Sequence, residues 1–257
     1  MKKQHFNLME LSVVIGLTAM IATVLAPAIS ASQQGAKGML CSDNLKKLGQ
    51  LQQAYLESND DFFTPAMDTS FKPTLTVNGQ KSTSKSFAKW PYFILTTQKT
   101  ATTGADGWAL PQEFHCPARS KSQFSSFQYD CYAKLDYGMN YAFSPAKLNG
   151  LYQNIAQVED PAALIMFADA KQISWPNDTG SYQIPCRLNK FGAWGKLDVL
   201  AKMDENVFLG HGGAHVSYTD GHVEMIPVKA GNTLEGRQEF WQNTYLGKKN
   251  LWYGRNN

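Results

Sequence analysis

The sequence predicts an α+β protein: one long N-terminal helix packed on an antiparallel β-sheet, with a loop-rich C-terminal β domain. Three features lead there. An uncharged apolar run fills residues 11–31, an apolar stripe at helical spacing follows it, and strand-like runs broken by turn residues occupy the second half. Composition agrees. Of 257 residues only 18% are charged, aromatics reach 12%, and there are 20 Gly and 11 Pro. That mixture suits β-rich, loop-rich extracytoplasmic structure better than a helical bundle. The net charge of +3 comes from scattered basic residues with no basic stripe, which excludes nucleic acid as an expected partner.

The run from Leu11 to Ala31 would span about 31 Å as a helix, close to the hydrocarbon thickness of a bilayer. Lys2 and Lys3 precede it and would keep the N-terminus in the cytoplasm, placing the bulk of the chain outside. The residues alone also allow a secretory signal cut after "APA" at 26–28, or a plain anchor. Neither gives a task to Glu10, an acid at the entrance of the run, or to Pro27 within it.

The stretch "FNLMELSVVIGLTAMIATVLAP" resembles the N-terminus of type IV prepilins, and of the pseudopilins of type II secretion, often a variant of FTLIELLVVIAIIAIL. The resemblance implies a leader peptide over residues 1–5, cleavage between His5 and Phe6 by a prepilin peptidase, and N-methylation of Phe6. The family usually has Gly before the cut, where this chain has His5. It further implies that Glu10 serves assembly, by meeting the cationic amino terminus of a neighbouring subunit, and that Pro27 kinks the helix as it leaves the membrane. Residues 6–31 would be the transmembrane half of the helix, 32–60 its amphipathic extracytoplasmic half, and 61–257 an extracytoplasmic β-rich globular domain.

Behind Ser32 the composition turns polar, and Gly35 and Gly38 loosen the helix. Cys41, Leu45, Leu48, Leu51 and Tyr55 then mark one helical face, which the sequence predicts to lie on the sheet and to end at "ESNDD", residues 57–61. "CSDNLKKLGQLQQAYLESNDDFFTPA" is similar to the segment that follows the helix in one large group of prepilin-like proteins, as are "FHCPA" at 114–118 and "YGMNYAF" at 137–143. Residues 66–110 read as loops and short strands. The run Ala163–Ala168 reads as a buried strand ending at Asp169, whose carboxylate is expected to bond nearby backbone rather than a metal.

The densest chemistry is "GHGGAHVSYTDGHVEMI", residues 210–226. Asp220-Gly221 predicts a two-residue hairpin turn, pairing Thr219 with His222, Tyr218 with Val223, Val216 with Met225 and His215 with Ile226. Tyr218, Val223, Val216 and Met225 would then share the buried face. His215 and His222 would lie over 10 Å apart on the other, too far to share an ion, so neither metal nor cofactor is expected. The stretch is similar to the group's C-terminal signature, a histidine about nine residues before Asp-Gly. Here eight residues separate His211 from Asp220, and His215 replaces the usual Asn.

Four cysteines, Cys41, Cys116, Cys131 and Cys186, can close two disulfides outside the cytoplasm in any of three connectivities. No nucleophile elbow, P-loop, zincin or dinucleotide motif is present, and His115 and Cys116 should point apart as strand neighbours, so no enzyme activity is expected. The aromatic tail "FWQNTYLGKKNLWYGRNN" is expected to form a helix and tail docked on the core, with a carbohydrate- or partner-binding strip as the alternative.

The expected function is therefore structural: a pilin-like or pseudopilin-like subunit of a type IV pilus or type II secretion filament, single-pass in a bacterial cytoplasmic membrane. Its partners would be a prepilin peptidase, sister subunits, an assembly platform and membrane lipid. The alternative is a membrane-anchored extracytoplasmic binding protein, for glycans among other ligands, using the same helix only as an anchor.

Overall fold

The computed structural model describes residues 8–68, 70, 74–77, 80–83, 88–97, 102–104, 107–109, 112–118, 136–143, 151–170, 183–184, 207–231, 233–244, 249–252 and 255–256. Its architecture is α+β. Helix α1 runs from Leu8 to Ser58 without interruption, through Pro27, Gly35 and Gly38. At about 1.5 Å per residue its 51 residues make a rod some 76 Å long. It ends where sequence chemistry says it should. Asp60 and Asp61 adopt positive φ, and the Asn59 side-chain amide donates to the Tyr55 carbonyl at 2.8 Å, satisfying one of the open carbonyls of the last turn.

Short strands follow: β1 (Met67–Asp68), β2 (Thr74–Val77), β3 (Gln80–Thr83) and β4 (Ala88–Lys89). β1 pairs with β4, and β2 with β3. Helix α2 (Trp90–Thr97) comes next, then the pair β5 (Thr102–Gly104) and β6 (Gly107–Ala109). The strands of this region match the sequence reading; α2 does not, since only loops and strands were expected there. Pro91 in its first turn is the missed signal, because proline is favoured at a helix start.

The central sheet is formed by β7 (Tyr137–Asn140), β8 (Ile165–Asp169), β9 (Gln183–Ile184), β10 (Gly213–Tyr218) and β11 (Val223–Pro227). Its order is β11-β10-β8-β7-β9. The first four strands are antiparallel, and the two residues of β9 add to β7 in parallel, a mixed edge the sequence did not announce. Every residue of β8 is buried, as its unbroken apolar run requires.

Each face of the sheet carries a core. On one side Cys41, Leu45, Leu48 and Leu56 of α1 pack with Tyr137, Met139, Phe167, Trp90 and Phe114. Trp90 stacks on Phe114 at 5.4 Å and meets Phe167 at 4.9 Å. On the other side helix α3 (Leu234–Thr244) brings Phe240 and Trp241 against Ala168, Ala214, Val216 and Ile226, with Trp252 beside them. Each fully buried side chain of the Leu or Phe class contributes about 1.5–3 kcal/mol. Trp241 and Trp252 are wholly buried, so the tail docks on the core and these two rings offer no exposed strip. β12 (Lys249–Asn250) and β13 (Arg255–Asn256) form a final small pair.

The predicted stripe on α1 holds for Cys41, Leu45 and Leu48, then drifts. Gln52 and Leu56 are buried next, while Leu51 and Tyr55 are only half-buried. A 3.6-residue period continues at 52 and 56, not at 51 and 55.

Candidate functional site

The motif segments that lie far apart in sequence meet along one flank of α1. The Asn44 side-chain amide donates to the His115 carbonyl at 2.9 Å, which holds the "FHCPA" loop against the helix. Gln53 donates to the Thr219 carbonyl at 3.0 Å, holding the tip of the β10–β11 hairpin. Between them, the missing side chain of Gly49 permits close approach. A Cβ there would lie 3.4 Å from Ser217 Oγ and 3.7 Å from Gly221 Cα, so one methyl is the most the gap accepts.

The hairpin itself departs from the predicted register. Ser217 pairs with Val223, Val216 with Glu224, His215 with Met225 and Ala214 with Ile226, one residue off throughout. The cause is the turn. Type I′ geometry needs positive φ at both central residues, but here only Gly221, at φ 92°, is positive. The chain makes a three-residue turn over Thr219, Asp220 and Gly221, closed by Tyr218 N–H to the His222 carbonyl at 2.9 Å and Gly221 N–H to the Tyr218 carbonyl at 3.0 Å. Buried Thr219 anchors it, donating through both N–H and Oγ1 to the Leu164 carbonyl at 2.9 Å. The slip moves Val223 and Met225 to the face that carries His215 and Ser217. α1 covers that face, so His215 is buried and Val223 packs toward the helix while Met225 stays exposed; Val216 and Tyr218, on the opposite face, pack toward α3.

With His215 turned inward, a polar cluster forms between α1 and the sheet. His211 and His215 meet edge to face at 4.9 Å, over Gly38 of α1. Cys116 Sγ lies 3.2 Å from His211 Nε2 and 2.6 Å from Cys41 Sγ. Both cysteines are buried, free thiols. Asp169, wholly buried at the end of β8, accepts the His215 backbone N–H at 2.8 Å through Oδ2, with His215 Nδ1 at 3.2 Å from the same oxygen. Its other oxygen, Oδ1, has no hydrogen-bond partner. Asp169 thus bonds backbone as expected, but a strand 46 residues away rather than nearby. Asp136 Oδ2 accepts the Cys116 N–H at 2.9 Å and fixes that loop from below.

Electrostatics keep the Cys116 thiol protonated. The hydrogen bond with Cys41, together with burial, pushes the Cys116 thiol far above the usual range, against a smaller opposing pull from His211. A thiol so held is a poor nucleophile. Burial works against charge on His211, but the Cys116 contact and the Asp169 carboxylate outweigh it and hold the imidazole above its ordinary value. Cys41 Sγ, Cys116 Sγ, His211 and Asp169 offer ligand atoms all within 4.8 Å of one another. Among the described residues, these four are placed to hold a metal ion.

Other predicted site residues lie elsewhere. His222 stacks on Tyr218 at 4.1 Å and its Nδ1 sits 2.6 Å from Asp220 Oδ1, away from the cluster. Glu10 and Pro27 are on the exposed first half of α1. His5, Phe6, Cys131 and Cys186 fall outside the described residues. The histidine that Cys116 meets is not its sequence neighbour His115 but His211. No family model, curated protein or solved structure matches the chain.

Proposed function

We propose that the chain is a pilin-like or pseudopilin-like structural subunit, held in a bacterial cytoplasmic membrane by the first half of α1 and able to enter a filament of a type IV pilus or type II secretion machine. The observation that carries this reading is the bare half of the helix. α1 is long and apolar enough to cross a membrane. From Leu8 to Ile29 every residue is exposed, Leu8 at 82% and Val24 at 69%, while the same helix continues directly into a packed domain. So long an apolar surface on a soluble chain would favour aggregation, and a bilayer with sister helices would cover it. Glu10, in the first turn, adds the second support. A carboxylate costs free energy in a lone anchor and gains a purpose when a neighbouring amino terminus lies beside it.

Processing gives the first test. Protein recovered from membranes should begin at N-methylated Phe6 by intact mass. A chain beginning at Ile29 would mean a removed secretory signal, and an intact Met1 an unprocessed anchor; either would displace the filament reading. Assembly gives the second. Glu10→Leu should leave membrane insertion and the domain fold unchanged, while crosslinking between subunits is lost in membranes holding the assembly machinery. Equal crosslinking for wild type and variant would favour the anchored binding protein.

A further inference from the structure

We infer that Cys41, Cys116, His211 and Asp169 form a binding site for a single zinc ion, which ties α1 to the sheet and to the "FHCPA" loop. The chemistry of the donor set comes first. Two thiols, an imidazole and a carboxylate are the ligand types zinc takes, and four is the number a closed tetrahedral site requires. The donors come from α1, from the loop at 116, from the end of β8 and from the turn ahead of β10. One ion would join four pieces of chain that share no local contact in sequence.

The second support is an unmet need. Asp169 is wholly buried and its Oδ1 has no hydrogen-bond partner. Among the described ion pairs no lysine or arginine reaches it; His215 on Oδ2 is its only counterpart. A buried carboxylate oxygen without a donor is costly, and a cation placed among the four ligand atoms would satisfy it. The outer contacts are those a metal site uses. His215 orients Asp169, and Asp136 orients the Cys116 backbone.

The competing explanation is a disulfide. The sulfurs stand 2.6 Å apart, and on one tetrahedral zinc with Zn–S of about 2.3 Å they would have to separate to about 3.7 Å, an adjustment the ion would impose. A disulfide would account for the sulfurs alone and leave Asp169 Oδ1 buried and His211 beside it without a role. Zinc uses all four groups: each thiol releases its proton to solvent as its sulfur binds, and the two thiolates and the carboxylate together outweigh the ion's charge. This inference is independent of the filament reading, since it rests on the packed domain only.

The experiment uses the full chain in detergent, reduced, stripped with a chelator and titrated with Co2+ and then Zn2+. One ion per chain should bind, Co2+ should show the ligand-field bands of tetrahedral coordination with thiolate charge transfer, and Zn2+ should displace it. His211→Gln and Asp169→Asn should each weaken binding by about 10-fold or more, and Cys116→Ser should cut the thiolate charge transfer by about half, with the remainder coming from Cys41. Should a variant fail to fold, the wild-type Co2+ spectrum still decides. Absence of uptake by wild-type chain, a Cys41–Cys116 disulfide in peptide maps of protein isolated without reductant, or uptake unchanged in Cys41→Ser would each overturn the site.

Discussion

Residues 8–29 and 38–58 belong to one unbroken helix, yet they live in opposite ways. The first segment is the more apolar and is covered by nothing among the described residues; the second alternates polar and apolar residues and buries Cys41, Leu45, Leu48, Gln52 and Leu56. In a soluble fold the order would be reversed, with the most apolar helix at the centre. The difference teaches that hydrophobicity alone does not say what a helix packs on. Periodicity does. A stripe at 3.6 spacing predicts a partner surface within the fold, whereas an apolar run with no polar face predicts one outside it.

Side-chain truncation should sharpen the contrast most. Leu45→Ala is expected to destabilise the domain by about 2–5 kcal/mol, because Leu45 is wholly buried between α1 and the sheet. Leu17→Ala, at a residue 54% exposed, should leave the denaturation midpoint of the domain where it was. Equal losses would break the comparison, since the bare half would then be packing on something in the domain.

Glycine replacement should give a smaller effect of the same sign. Gly49→Leu must force its side chain into Ser217 and Gly221 and should cost about 1–3 kcal/mol in urea unfolding. Gly35→Leu meets nothing within 4 Å and should be neutral or stabilising through helix propensity. A tolerated leucine at 49 would show that the hairpin tip does not touch the helix there.

What the sequence made legible follows from the same physics. The long helix, its ending at Ser58, the buried strand into Asp169 and the existence of the hairpin all rest on local periodicity or turn chemistry, which a chain carries in every short window. The register of the hairpin was not legible from Asp220-Gly221 alone. The dipeptide suits two turns, and the choice was made by Thr219 bonding to the Leu164 carbonyl, a contact 55 residues away. The polar cluster was hidden for the same reason. Cys41, Cys116, Asp169 and His211 have no shared spacing, and the histidine that meets Cys116 is 95 residues from it while His115 is adjacent. Cys41 on the buried stripe was the one clue, since a thiol among core leucines must face whatever the sheet presents.

Because α1 passes through Pro27, Gly35 and Gly38 as a single helix, its length is also an angle. Each residue turns the rod by about 100° and advances it by about 1.5 Å. Leu45 is fixed on the sheet, so the compass bearing of Glu10 relative to the globular domain is set by the number of residues between them. Removing Ala36, which lies on an exposed stretch of the helix, would disturb no packed side chain. It would nevertheless swing Glu10 by about 100° around the axis and present a different side of the apolar half to any neighbour. Spacing along this rod is therefore steering: the chain can keep every contact of its fold and still aim its partner-facing surface the wrong way.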